Sequence, residues 1–128
     1  MLQLPQRISK RVGLLGLSVF FIVAGVNHFV NPDFYVRIMP AYLPAHLELV
    51  YLSGLFEVLG GIGVLSPRHR SLAGWGLIAL LLAVYPANIH MALHPELFSE
   101  MSPAALYTRL PVQFVFIAWA YWATRAPR

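Results

Sequence analysis

The sequence predicts an all-α integral membrane protein, a four-helix bundle with both termini cytoplasmic, and three observations carry that reading. First, 59% of the 128 residues are apolar and 11% are charged, whereas a soluble domain carries about 25% charged residues. Second, four stretches approach the roughly 20 apolar residues that cross about 30 Å of hydrocarbon. Third, basic residues alternate in number between successive connections. The mean hydropathy of +0.67 fits the same class. Disorder is excluded, because it needs low hydrophobicity and high charge. There is no cysteine, which removes disulfides, thiol catalysis, iron–sulfur clusters and cysteine zinc sites. The net charge of +4 does not point to nucleic acid, since the cations sit between apolar blocks and form no patch with interleaved aromatics.

The length allows one domain, residues 1–128. The first span is expected over about 12–30, ending at the turn signal Asn31-Pro32-Asp33. Its flank, Arg7 to Arg11 before an apolar run, has the look of a signal peptide. The run is longer than a typical signal core and three spans follow, so it reads as an uncleaved first span. The segment Asp33 to His46 is rich in Tyr, Phe and Pro. Pro40 and Pro44 exclude a long helix there, and the segment is expected at the outer interface or folded over the bundle mouth. The second span is expected over about 47–65, stopping at Ser66-Pro67-Arg68. The third covers about 72–93 and contains Pro86; the fourth covers about 105–124 and contains Pro111. Pro95 to Pro103 forms a second outer loop.

One side of this arrangement carries Arg7, Lys10, Arg11, Arg68, Arg70, Arg125 and Arg128; the other carries only Arg37 and Arg109, with Asp33, Glu48, Glu96 and Glu100. The positive-inside rule then places both termini in the cytoplasm of a bacterial inner membrane protein. Trp119, Tyr121 and Trp122 suit the inner interface, and Tyr35, Tyr42 and Tyr107 the outer one.

Polar groups inside spans are costly, about 2.5–3.5 kcal/mol for a charge at the centre, and each asks for a role. Glu57 falls mid-span. At about 100° per residue, Val50, Ser53, Gly54, Gly60, Gly61 and Val64 lie on its side of the helix, with Leu52, Leu55, Leu59 and Ile62 opposite. Small residues permit close packing, so Glu57 is expected to face the bundle interior and the leucine face the lipid. Asn27, His28, Asn88, Arg109 and Gln113 fall at similar depths in the other spans. Together the six are expected to form one polar pocket nearest the outer face. The plainer reading is that they pair with each other, for instance Glu57 with Arg109, and fix helix register. His28 and His90 are the only pair placed to hold a haem, and nothing else supports one. The glycines 60, 61 and 63 follow no strand and lack a P-loop lysine, so they read as packing residues. No metal or hydrolase signature is present.

Several blocks bear a family likeness. Phe21-Ile22-Val23-Ala24-Gly25-Val26-Asn27-His28-Phe29, Ile38-Met39-Pro40-Ala41-Tyr42-Leu43-Pro44, Ser53-Gly54 with Glu57, Leu65-Ser66-Pro67-Arg68, Ala83 to Met91 and Arg109-Leu110-Pro111-Val112-Gln113 together resemble the DoxX family of small four-span bacterial membrane proteins. The resemblance covers about Gly16 to Trp122. It implies a four-helix membrane bundle and, from the family's association with quinone-linked oxidation, a redox-linked subunit with partner proteins. It carries over no catalytic motif. Without cysteine, a redox role needs a quinone or a partner. On this reading Glu57 accepts a proton, Arg109 is its electrostatic partner, and His28, Asn88 and Gln113 contact a quinone carbonyl. The alternatives are a non-enzymatic membrane scaffold and a small proton-coupled carrier. The carrier is disfavoured because small dimeric carriers often have weak charge bias and place their central Glu in the first span.

Overall fold

The computed structural model describes residues 4–125. Among them there are five α-helices, one 3-10 turn and no strand: α1 (Ile8–Val30), α2 (Pro32–Ile38), α3 (His46–Gly63), α4 (Arg70–Leu93), the 3-10 turn Pro95–Leu97, and α5 (Pro103–Thr124). The all-α class is therefore correct. Arg128, one of the basic residues used for orientation, lies outside the described residues. The four long helices fall on the four expected spans, with shifted ends. α1 starts four residues earlier than expected, since no breaker separates Ile8 from Val12. α5 starts at Pro103, with Ser102 as N-cap accepting the Ala105 amide at 3.1 Å.

By length and composition two helices, α1 and α4, can cross a bilayer. α3 contains Glu48 and Glu57, and α5 contains Arg109 and Gln113, so both are less apolar. The expectation of four spans is met on this criterion by two.

The long helices pack in the cyclic order α1, α3, α4, α5, back to α1. Paired close contacts make every neighbour antiparallel: Gly25 with Gly54, Gly60 with Leu77, Gly74 with Thr124, and Gly13 with Trp122. Both ends of the described chain therefore lie at one end of the bundle, where Lys10 Nζ donates to the Arg125 carbonyl at 3.0 Å. The α1–α3 contact is the closest. A Cβ on Gly25 would stand 2.6 Å from the Gly54 carbonyl oxygen, and one on Gly54 would stand 2.8 Å from that of Gly25. Lower on the same seam, Ser18 Oγ donates to the Gly61 carbonyl at 2.6 Å. Val50, Gly54, Gly61 and Val64 are buried, while Leu52, Leu55, Leu59 and Ile62 are exposed. The small-residue stripe on Glu57's side thus packs inward.

The interior divides into two apolar clusters. One, toward the end that holds the chain ends, contains Leu14, Leu17, Phe21, Val64, Leu77, Leu81 and Ala120. The other contains Ile38, Met91, Phe98 and Leu106, with Phe34 and Tyr35 packed on it. α2 supplies Ile38 and packs on α1, α3 and α4, so it folds over the bundle mouth. An Arg37–Glu100 ion pair ties it to the loop before α5. The chain then enters α3 through Ala45 at φ 53°, a left-handed conformation that an L-residue adopts at a cost of about 1–2 kcal/mol.

Gly54→Ala is expected to destabilise the fold by about 1–3 kcal/mol, because the added carbon meets backbone rather than a side-chain tip. Thermal unfolding of the purified variant against wild type reads this directly; an unchanged melting temperature would show that the seam is not close-packed.

Candidate functional site

Helical side chains lean toward their own N-terminus. In the antiparallel α1–α3 pair, His28 and Glu57 therefore lean toward each other along the seam. The bare surface of Gly54 lets this happen: a Cβ there would stand 2.7 Å from the His28 Cβ. His28 Nδ1 lies 2.9 Å from the Val50 carbonyl oxygen, and His28 Nε2 lies 3.1 Å from Glu57 Oε2. Their side chains are 9% and 13% exposed. The second approach has ion-pair distance without hydrogen-bond alignment, so among the described residues Glu57 Oε2 is a buried oxygen with no hydrogen bond.

A carbonyl can only accept, so Nδ1 carries a hydrogen and donates to Val50. Nε2 is then the ring nitrogen that faces Glu57 Oε2. Tyr35 stacks on the His28 ring with centroids 3.9 Å apart. Its hydroxyl accepts from Asn27 Nδ2 at 2.6 Å, and Asn31 Nδ2 donates to Asn27 Oδ1 at 2.7 Å.

A second group sits between α4 and α5. Arg109 Nε donates to Asn88 Oδ1 at 3.2 Å, Asn88 Nδ2 to Gln113 Oε1 at 3.0 Å, and Gln113 Nε2 to the Leu81 carbonyl at 2.5 Å. Asn88 and Gln113 are buried. α4 continues through Pro86, which lacks the amide that would bond the Leu82 carbonyl. Gln113 supplies a donor to the adjacent turn from across the interface.

The six expected residues thus fall into two clusters rather than one pocket: Asn27, His28 and Glu57 with Tyr35, and Asn88, Arg109 and Gln113. The expected Glu57–Arg109 pairing is not formed. Glu57 meets His28 because α1 is the neighbour against which its stripe packs, whereas Arg109 reaches across from α5 to Asn88 on α4. Tyr35, assigned from sequence to the outer interface, belongs to the site. Pro32 at the first turn of α2 with Asp33 beside it is the helix-start signal that brings it there. The ring neighbours of His90 are His94 and Phe98.

Residues 17–124 match the family described as a domain of unknown function, DUF8561. The chain belongs to that family. No curated protein and no solved structure matches it significantly. Membership of DUF8561 corrects the DoxX resemblance, and the quinone-linked role that the resemblance implied loses that support. The blocks that suggested it have a packing explanation. Gly25 and Gly54 are points of close helix approach, and Pro86 and Pro111 lie within α4 and α5. Such residues record how a small antiparallel bundle is assembled and do not identify a lineage.

Replacing Gln113 by Leu leaves the Leu81 carbonyl and the Asn88 amide without their partner. The expected loss is about 2 kcal/mol, read as a lowered melting temperature; Asn88→Leu in the same background should lower it further, because it also removes the acceptor of Arg109 Nε.

Proposed function

We propose that the protein spans a bacterial inner membrane with all four long helices, both termini cytoplasmic, and that its His28–Glu57 pair is a proton-exchange site for a membrane-soluble ligand. The membrane part is supported by the bundle's outer surface. Val12, Val19, Val23, Leu52, Leu55, Leu59, Leu82 and Val115 are among the large apolar side chains that remain exposed, and water would oppose such a surface. The basic residues Arg7, Lys10, Arg70 and Arg125 gather at one end, as the positive-inside rule asks of a cytoplasmic face.

One observation carries the functional part: a buried carboxylate oxygen at hydrogen-bond distance from an imidazole nitrogen but not aligned with it. Such a pair can hold its proton on either group, and a ligand hydroxyl could donate the missing bond to Oε2. The quinol form of a quinone is a membrane-soluble compound of that chemistry. In this picture Glu57 and His28 exchange the proton, Tyr35 closes the site over the imidazole, and Asn88, Gln113 and Arg109 hold α4 and α5 around it.

A second reading is favoured by the Val50 bond. On that reading His28 is a strut that ties α1 to α3, and the polar set serves as packing in a non-enzymatic membrane scaffold.

Organic extraction of the detergent-purified protein separates the two. The proton-exchange reading expects a quinone in the extract of wild type, depleted in folded Glu57→Gln. No quinone from either form, with both equally folded, leaves the scaffold reading.

Topology is testable in the natural background, because the chain has no cysteine. Glu100→Cys in intact spheroplasts is expected to react with a membrane-impermeant maleimide, and Arg68→Cys only after lysis. The reverse pattern, or equal labelling, would overturn the orientation.

A further inference from the structure

At the end of the bundle away from the His28–Glu57 pair, the N-terminal segment, the α3–α4 turn and the end of α5 enclose a cleft of about 950 Å³. Four cationic side chains line it, Arg7, Lys10, Arg70 and Arg125, with Tyr121 and Trp122 in its wall and no Asp or Glu. All five acidic side chains of the protein, Asp33, Glu48, Glu57, Glu96 and Glu100, lie elsewhere in the sequence and none borders the cleft.

We infer that this cleft is a binding site for the phosphate headgroup of an anionic phospholipid of the cytoplasmic leaflet. The inference rests on the membrane orientation proposed above.

Lys10 is the strongest sign. It is 7% exposed, yet its recorded contacts are a carbonyl, that of Arg125 at 3.0 Å, and the face of Trp122 at 5.8 Å. An ammonium has three donors and one is taken by the Arg125 carbonyl. A phosphate oxygen in the cleft would accept from another. Arg125 is held by aromatic faces, 4.6 Å from the Tyr121 ring centroid and 5.9 Å from that of Trp75. These contacts hold the cation at the cleft wall, where its donors suit a phosphate. Arg70 is anchored differently, its Nε donating to the Val64 carbonyl at 2.7 Å, and so stiffens the wall of the cleft. α4 begins here with no side-chain cap on its first amides, which adds donors at the positive end of a helix dipole to a site already built from cations.

The size favours a lipid over a free anion. A cleft of about 950 Å³ is at the upper end of small-molecule sites, about 300–1,000 Å³, and far exceeds one phosphate. It holds a glycerophosphate headgroup with the beginnings of its chains. Trp122 and Tyr121 border it as amphipathic residues do at the level of headgroups. Basic pockets between spanning helices on the cytoplasmic side are the sites that such headgroups fill.

The test is the thermal stability of the detergent-purified full chain with dioctanoyl phosphatidylglycerol, dioctanoyl phosphatidylcholine or inorganic phosphate at equal concentration. The expected result is a raised melting temperature with phosphatidylglycerol alone. Arg7→Gln with Arg125→Gln should weaken its apparent affinity about 25-fold, at about fivefold per cation removed. These two side chains lie outside the packed clusters, so the double variant should fold; Lys10→Met, which keeps the apolar stem, is the more severe form. Equal stabilisation by phosphatidylcholine, or an unchanged affinity in the double variant, overturns the site. Stabilisation by inorganic phosphate to the same extent overturns the lipid assignment in favour of a free anion. Alkaline carbonate extraction keeps the two proposals distinguishable: a chain released from membranes refutes the membrane reading itself, and a chain that stays in the pellet but lacks the lipid preference refutes only the cleft.

Discussion

The backbone contact between α1 and α3 at Gly25 and Gly54 is the constraint on which the rest of the structure depends. Two helices whose carbonyls approach within the space of a missing Cβ have little freedom to slide or rotate. That contact sets the register of Ser18 on Gly61 below it and of His28 on Val50 above it. It also sets the distance between His28 and Glu57, since both side chains lean over the glycine surface. In a bilayer, where apolar burial drives helices together only weakly, such close van der Waals contact with interhelical hydrogen bonds is what associates them.

The second consequence is layering. The polar residues lie between an apolar cluster built on Leu14, Leu17, Phe21 and Leu77 and another built on Ile38, Met91, Phe98 and Leu106. Asn88 and Gln113 satisfy one another and the Leu81 carbonyl, so that half of the layer is closed to further partners except through Arg109. The His28 half is not closed in the same sense, because one Glu57 oxygen lacks a hydrogen bond. The α4–α5 group is satisfied, whereas the α1–α3 group leaves one buried acceptor open.

Much of this was legible in the sequence for a simple reason. Angular position around a helix follows from residue spacing, so the burial of Val50, Gly54 and Gly61 and the exposure of Leu52, Leu55, Leu59 and Ile62 could be read directly. The proline and Asn31-Pro32 signals likewise placed the breaks between long helices. Which helix stands opposite Glu57 could not be read, because spacing on one helix carries no information about its neighbour. Arg109 was the obvious electrostatic choice, but charge complementarity does not decide contact; the glycine seam does. Tyr35 was hidden for a related reason. It lies in a segment whose prolines forbid a long helix, and a seven-residue helix folded back over the bundle leaves almost no periodic signal.

The two ends of the molecule now differ in kind. At one end α2 closes the bundle, Arg37 pairs with Glu100, and acidic and basic side chains are mixed. At the other, cations are crowded around a cleft that no Asp or Glu borders among the described residues. A folded protein in water would gain by interspersing these charges, since like charges repel and acids are available in the same chain. Their segregation makes physical sense when an external partner supplies the negative charge on one side only. A membrane surface does this: its anionic leaflet attracts cations in proportion to their number and within a Debye length. The charge asymmetry and the apolar helix faces between the two ends therefore argue for the same environment from independent terms, one electrostatic and one hydrophobic.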